Sequence, residues 1–145
     1  MKNFSYGFGF QFCDTSKLWS SNRLPPEPSI FHKIRILHQD IYRISEKLSK
    51  RDKLGIHSTA ESLCVEILSL TIEAAFKPKY LKKSILETLR VKIEVMKHIV
   101  RSEHELNIVD EKTYLRISKQ LVEISKMTGG WINFIDQNKT QKEFP

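Results

Sequence analysis

Glycine and proline are scarce in this sequence, with five of each in 145 residues, and only Gly55 and Pro78 fall between residues 31 and 128. Turns rely on these two residue types, so their scarcity argues against a fold of many short strands and favours long helices. The apolar run of about 20 residues that a membrane-spanning helix needs is also missing, as is the apolar core of a signal peptide. We therefore expect a protein that is neither membrane-spanning nor secreted.

Cysteine is nearly absent, because the chain has only Cys13 and Cys64, in unrelated contexts. Two such residues favour free thiols in a reducing compartment, which predicts a cytoplasmic protein. One domain of this length buries enough surface to fold without disulfides or a metal. We assign no cofactor. Acidic residues are in deficit, 17 against 24 Lys and Arg, and the net charge of +7 favours polyanionic partners.

The first 29 residues form a distinct aromatic arm. Aromatic side chains alternate with small or polar ones, which is the period of a strand; they are Phe4, Tyr6, Phe8, Phe10 and Phe12, with Trp19 further along. Pro25, Pro26 and Pro28 then interrupt regular structure before the first helix. Two interpretations stay open: an arm whose aromatics pack on the rest of the chain, or a segment that docks on a partner.

Apolar spacing predicts two helices in the first half of the remaining chain. The first runs from about Ser29, its N-terminal cap, to Lys50, and the second from about Asp52 to Phe76, ended by Pro78. Apolar residues recur at steps of three and four, as one face of a packed helix requires. They are Ile30, Ile34, Leu37, Ile41, Ile44 and Leu48 in the first, and Ile56, Ala60, Leu63, Ile67, Leu70 and Ala74 in the second.

Two more helices are predicted in the second half, from about Lys79 to Leu106 and from about Asp110, a capping residue, to Gln137. Their stripes are Leu81, Ile85, Leu89, Ile93, Met96 and Val100, and then Tyr114, Ile117, Leu121, Ile124, Trp131 and Ile135. Short connections make neighbouring helices antiparallel. The sequence thus predicts an all-α fold: an up-down-up-down four-helix bundle at residues 30–137, between a non-helical arm at 1–29 and a polar tail at 138–145.

The later helices also predict contact with another subunit. The third carries apolar residues outside its main stripe, namely Leu86, Val91, Val95 and Ile99, which indicates a second buried side. Glycine inside a helix costs about 1 kcal/mol relative to alanine, and close approach of another backbone is the usual compensation. We assign five residues to packing in the core or between subunits: Val91, Val95, Gly129, Gly130 and Trp131.

Motifs of catalysis are largely missing. The sequence contains no glycine-rich phosphate loop, Cys-x-x-Cys pair or His-Glu-x-x-His motif. Among five histidines, His98 with Ser102 and Glu105 comes nearest to a metal site, but isolated histidines are more often plain surface residues. Ser58 and Thr59 lack a readable base and oxyanion donor. No catalytic or metal-binding residue is assigned.

The spacing of one Arg and His pair leaves a ribonuclease as an alternative. Arg51 and His57, with five residues between them, match the Arg-to-His spacing of HEPN ribonucleases, which are also helical bundles. Gly55 lies between the two in what is predicted to be a loop or first turn, a poor context for that motif. A helical ribonuclease therefore stays an alternative.

Positive charge is gathered in two clusters. The first contains Arg43, Lys47, Lys50, Arg51 and Lys53, and the second contains Lys77, Lys79, Lys82 and Lys83. In an up-down bundle these lie at opposite ends, the second beside the tail residues Lys139 and Lys142. Each cluster can meet several phosphates, whereas no pattern for reading bases is present. A merely solvated surface is the simpler alternative.

The last predicted helix resembles a known family. The run Tyr114-Leu-Arg-Ile-Ser-Lys-Gln-Leu-Val-Glu-Ile-Ser-Lys-Met-Thr-Gly-Gly-Trp-Ile is similar to the last helix of accessory variability determinant proteins from diversity-generating retroelements, which ends in a Gly-Gly-Trp or Gly-Ser-Trp turn before isoleucine. The basic link at 49–53 and the helix ending Glu73-Ala-Ala-Phe-Lys also match. The resemblance covers about residues 30–135, and the ribosomal intervening-sequence four-helix proteins are a near alternative.

The resemblance implies a function that spacing alone does not. Proteins of that family form pentameric barrels of four-helix bundles, bind a reverse transcriptase and nucleic acid, and support mutagenic cDNA synthesis from a template RNA without being enzymes. We therefore expect a homopentameric, non-catalytic accessory protein whose partners are a reverse transcriptase, RNA and cDNA. The alternatives are an RNA-binding helical bundle, the ribonuclease, or a pure protein–protein adaptor. The aromatic arm has no counterpart in the family pattern.

Overall fold

The computed structural model describes residues 27–140, so the aromatic segment before Glu27 and the last five residues lie outside the described part of the chain. Over residues 27–140 the elements are helices without any strand. They are α1 (Glu27–Ser45), α2 (Lys50–Leu54), α3 (Ile56–Phe76), α4 (Lys79–Glu105) and α5 (Glu111–Thr140).

The four long helices form a closed bundle. α1 packs between α3 and α5, and α4 packs between the same two helices on the opposite side. Ion pairs join neighbours across the surface, with Lys33 of α1 lying 2.7 Å from Glu123 of α5 and Lys92 of α4 lying 2.7 Å from Glu66 of α3. The predicted all-α up-down-up-down four-helix architecture is confirmed.

Helix ends differ from the predicted ones where the chain turns. α1 begins at Glu27, so Ser29 lies inside its first turn and the prediction that Ser29 caps the helix is wrong. Pro28 is tolerated there because the first backbone N–H groups of a helix have no intrahelical partner. α1 also ends at Ser45 instead of Lys50, and a turn follows in which the Lys47 N–H donates to the Ile44 carbonyl oxygen (3.0 Å).

The predicted second helix is divided by a glycine. Ser49 caps α2, its hydroxyl accepting from the Asp52 N–H (3.2 Å) and donating to the Asp52 carboxylate (2.9 Å). Gly55 then separates α2 from α3, with φ −90° and ψ −119°. A β-carbon at Gly55 would lie 2.9 Å from the Arg51 carbonyl oxygen, closer than such contacts occur, so the break needs glycine.

The connection from α4 to α5 is fixed on both sides. Asn107 adopts a left-handed conformation (φ 58°), which asparagine tolerates, and the Ile108 N–H donates to the Glu103 carbonyl oxygen (2.8 Å). Asp110 caps α5 as predicted, accepting from the Thr113 N–H (3.0 Å). The hydrogen bonds from Thr113 hold the pKa of Asp110 below its ordinary value, so this carboxylate stays charged at the helix start.

The core follows the predicted stripes with one shift. In α4 the buried apolar residues are Leu86, Leu89, Ile93, Met96 and Val100. Leu86 therefore takes the place predicted for Ile85, and Leu81 is 39% exposed instead of buried. Cys64 is fully buried, and this burial raises the pKa of its thiol to about 12. None of the helices in residues 27–140 has the length and hydropathy needed to span a membrane.

Glycine substitutions should have opposite effects at the α2–α3 break and within α5. We expect Gly55→Ala to lower the free energy of unfolding by about 1–2 kcal/mol, because its β-carbon meets the Arg51 carbonyl oxygen. Gly130 lies within α5 with open space around its β-carbon position, so Gly130→Ala should raise that free energy by about 1 kcal/mol. Urea unfolding measures both, and equal effects at the two positions would contradict this account.

Candidate nucleic-acid interface

The two basic clusters lie at opposite ends of the bundle. We call the end that contains residues 43–54 and the 106–110 connection the α2 end. The other end, which contains the 77–78 connection, the start of α1 and the last turns of α5, is the lysine end. The antiparallel order fixes this separation, and a 2.9 Å ion pair between Lys83 and Asp136 of α5 anchors the second cluster there.

At the α2 end the basic side chains point into solvent. The exposed residues are Arg43, Lys47, Lys50, Arg51 and Lys53. Arg43 lies 3.8 Å from Asp40, a loose contact at a side chain that is 69% exposed. Within residues 27–140 the other four make no ion pair, so their charges are available to a ligand.

The capped α2 helix organises three of these charges. Lys50, Arg51 and Lys53 lie within one turn and a half of α2, between the Ser49 cap and the Gly55 break. None of the residues of α2 is buried. α2 thus presents a short, positively charged ridge whose direction is set by its two ends.

A groove beside this ridge has balanced charge. It has a volume of about 590 Å³, and its charged lining residues are Asp40, Arg43, Glu46, Lys47, Asp110 and Arg116. Three carboxylates offset three cations in the groove, which disfavours a buried phosphate site. Phosphate contact at this end is therefore favoured on the α2 ridge and not in the groove.

At the lysine end, most of the lysine side chains bind groups of the same chain. Lys82 donates to the Ala75 carbonyl oxygen (3.1 Å) at the C-terminus of α3, and its Nζ lies 5.9 Å from the centre of the Trp131 ring. Lys83 pairs with Asp136, and Lys77 lies 4.0 Å from Glu73. Lys79 makes no ion pair with any of residues 27–140.

The residues assigned to packing fall in different places. Trp131 is 1% exposed and belongs to the core of the bundle. Gly129 and Gly130 lie inside α5, which continues through them without the turn that the resemblance implies. Apart from the adjoining backbone of α5, no atom of the described residues lies within 4 Å of a β-carbon built on either glycine, so close packing among residues 27–140 does not explain them. Val91 and Val95 are 62% and 41% exposed on α4.

His57 is buried in the core, contrary to the expectation of isolated surface histidines. Its Nδ1 lies 2.7 Å from Glu103 Oε1 and its Nε2 lies 2.9 Å from the Ile41 carbonyl oxygen, with the ring fully enclosed. Because a carbonyl only accepts, Nε2 carries a proton. Burial by itself lowers the pKa of His57, but the hydrogen bonds to Glu103 and Ile41 and the charge of Glu103 outweigh it and raise the pKa.

The burial of His57 argues against the ribonuclease alternative. A general base must reach the proton it abstracts, and both nitrogens of His57 are occupied by groups in the core. Arg51, by contrast, is exposed on α2. The two residues of the HEPN-like spacing therefore do not form a joint surface site. In the candidate metal site, Ser102 donates to the His98 carbonyl oxygen and Glu105 pairs with Arg101.

The pair of His57 and Glu103 was not predicted from the sequence, although both residues continue the apolar stripes of their helices. His57 continues the stripe of Ala60, Cys64 and Ile67, and Glu103 continues the stripe of Met96 and Val100. Each polar residue occupies a core position at the α2 end of its helix. Two complementary residues at core positions of antiparallel neighbours are a readable signal for a buried pair.

Removing one member of the pair should cost more than removing both. His57→Leu leaves the Glu103 carboxylate buried without its partner, and we expect a loss of about 3–5 kcal/mol in the free energy of unfolding. The double variant His57→Leu, Glu103→Leu should recover most of this loss, because no charge then remains buried. Chemical unfolding of the single and double variants gives the coupling energy, and additive effects would show that the pair does not act as one unit.

The same variants test pH dependence. The pKa of His57 in the folded protein is above its ordinary value of 6.5, so its stabilisation is complete below that pH and is lost as the pH rises through the folded-state pKa. Measurement below pH 9.0, the ordinary pKa of cysteine, avoids the contribution of Cys64. As the pH rises from 6.5 towards 9.0, the free energy of unfolding of the wild-type protein should fall, and that of the double variant should fall less.

Comparison with known proteins gives one match. A family model described as bAvd-like matches residues 29–135, which cover nearly all of the four-helix bundle. Neither the curated proteins nor the solved structures contain a match to this chain. The match supports the resemblance to accessory variability determinants and gives no support to the ribosomal intervening-sequence alternative.

Proposed function

The chain belongs to the bAvd-like family, and on that premise we propose that it is an accessory protein that holds a retroelement reverse transcriptase on its template RNA. The family is one of accessory proteins and not of enzymes. In this proposal the protein acts in the cytoplasm, contacts RNA and cDNA through phosphates, and leaves catalysis to the polymerase. The exposed cations of the α2 ridge are the observation that supports nucleic-acid binding in this proposal.

Three properties of the ridge support phosphate binding. Its cations are exposed, and Lys50, Arg51 and Lys53 have no ion pair among residues 27–140, so binding breaks no salt bridge there. The Ser49 cap and Gly55 break hold α2 in place, which lowers the conformational entropy lost on binding. The carboxylates of the adjacent groove disfavour deep insertion of a phosphate, which points to surface contact with a backbone.

The proposal predicts a charge-dependent loss of RNA affinity. The triple variant Lys50→Glu, Arg51→Glu, Lys53→Glu should weaken binding to structured RNA by at least about tenfold near physiological salt, and should reduce the slope of log K against log[salt] by about 2. Gel shifts at several salt concentrations measure both quantities.

A control variant with the same change in net charge distinguishes an effect of the α2 ridge on RNA affinity from an effect of overall charge. Arg90, Lys119 and Lys126 are exposed on α4 and α5, away from α2. Reversing these three should leave most of the affinity intact. Equal losses in both triple variants would assign binding to net charge, and wild-type affinity in the α2 variant would remove the ridge from the interface.

Self-association is the second part of the proposal, and an uncharged stripe on α4 supports it. Seven positions recur at steps of three and four and carry no charge: Leu81, Ser84, Thr88, Val91, Val95, His98 and Ser102. We call these the α4 seam. All except the half-buried Ser102 are exposed, over about 30 Å of helix. An uncharged heptad stripe on a solvent-facing helix is typical of contact with another helix, and we infer that copies of this chain meet there in a pentamer.

Placing charged side chains in the α4 seam should disrupt assembly of the subunits. Val91→Glu with Val95→Glu should lower the number of subunits measured by light scattering, because carboxylates would be buried between helices. Leu115→Glu with Val122→Glu on α5 is the matched control, since these side chains are 57% and 43% exposed against 62% and 41% for the valines. Dissociation by the α5 pair alone would place the subunit contact on α5 and overturn the assignment.

A further inference from the structure

α3 carries an exposed apolar surface separate from the α4 seam. Val65, Ile72 and Phe76 are 53%, 43% and 47% exposed, and Leu68 lies half-buried between them. The spacing of three and four residues puts all four on one face of α3, over about 16 Å. We call these four residues the α3 patch. Contiguous apolar surface on a small domain marks a binding site more often than scattered apolar residues do.

The patch faces away from α4. Glu66 marks the side of α3 that faces α4, because it pairs with Lys92 at 2.7 Å. Val65 and Ile72 each precede a glutamate of that side, Glu66 and Glu73, and one residue is about 100° of rotation around a helix. The α3 patch therefore lies on the side of α3 towards α1, where Leu68 packs against the core and the other three residues are exposed.

The chain enters the bundle next to this patch. The hydrogen bond from His57 Nε2 to the Ile41 carbonyl oxygen (2.9 Å) fixes the antiparallel register of α1 and α3. Glu27 lies fourteen residues before Ile41, and Thr71 lies fourteen residues after His57. Since both helices rise equally per residue, the start of α1 lies beside the segment around Ile72.

The segment that precedes α1 has the composition of an occupant for this patch. Residues 3–13 carry no charged side chain, and five aromatic residues alternate with small or polar ones between Phe4 and Phe12. In an extended conformation the aromatics would lie on one side over about 27 Å. The fourteen residues 13–26 can span up to about 46 Å, which is enough to reach along the whole patch.

We propose that residues 4–12 dock in an extended conformation on the α3 patch of the same chain. The tether of residues 13–26 makes docking intramolecular, with an effective concentration in the millimolar range that favours this segment over a second copy or another protein. Aromatic side chains cover Val65 and Ile72, and the small or polar residues between them face solvent. The segment absent from the family pattern thus covers the apolar face of α3.

Hydrogen exchange of the full-length chain tests the docking. Peptides that cover residues 4–12 should exchange more slowly than an unstructured chain in the wild-type protein. Ile72→Lys should speed their exchange about tenfold or more, because a charge then lies under the aromatics. Val122→Lys is the control, since Val122 on α5 is also 43% exposed. Random-coil exchange in the wild-type chain, or equal protection in both variants, would overturn the proposal.

Disulfide trapping tests whether the occupant comes from the same chain. Ser69 is exposed within the patch, four residues after Val65 and three before Ile72. In a Cys13→Ser background, Ser69→Cys with Phe8→Cys should form a disulfide within one chain, whereas Lys119→Cys with Phe8→Cys should not. The buried Cys64, with its raised pKa, does not compete. A product linking two chains would assign the patch to a second copy and overturn the proposal.

Discussion

The buried hydrogen bond between His57 and Glu103 organises the α2 end of this protein. Three chain segments meet at it: α3 supplies the imidazole, α4 the carboxylate, and α1 the carbonyl of Ile41. The Glu103 backbone carbonyl also accepts from Ile108, which fixes the connection to α5. His57 lies two residues after Gly55, so this ring anchors the start of α3 directly after the break that separates it from α2. The core pair thus fixes the start of α3, beside which the Ser49 cap and the Gly55 break set the direction of the basic ridge.

The two ends of the bundle use positive charge differently. At the lysine end, Lys82 binds the C-terminal carbonyl group of α3 and Lys83 joins α4 to α5 through Asp136, so these lysines stabilise the fold. At the α2 end, the cations of α2 have no such partners among residues 27–140 and do not stabilise the bundle. Similar clusters in a sequence therefore have different roles, and only the geometry of nearby acceptors distinguishes them.

Much of the architecture follows from sequence periodicity, because burial of one face imposes steps of three and four residues on each long helix. Asp110 as a cap and Pro78 as a helix end were predictable for the same local reasons. For Gly55 the sequence left a loop and a first helical turn open, and only the approach to the Arg51 carbonyl oxygen shows that a break there needs glycine. The role of Lys82 also could not be predicted, since it depends on a carbonyl group of another helix. The assignment of the basic residues to RNA stays a prediction.

The absence of buried side chains in α2 has a consequence for how this protein can diversify. The charge of that helix can change without altering the packing of the bundle, provided that Ser49 and Gly55 are kept. The residues of α2 that the proposed function assigns to phosphate contact are therefore separate from those that determine folding stability, although they lie only a few positions apart in the sequence. Under the proposed function, exchange of three surface residues would change the nucleic-acid preference of such a protein while the same scaffold is kept.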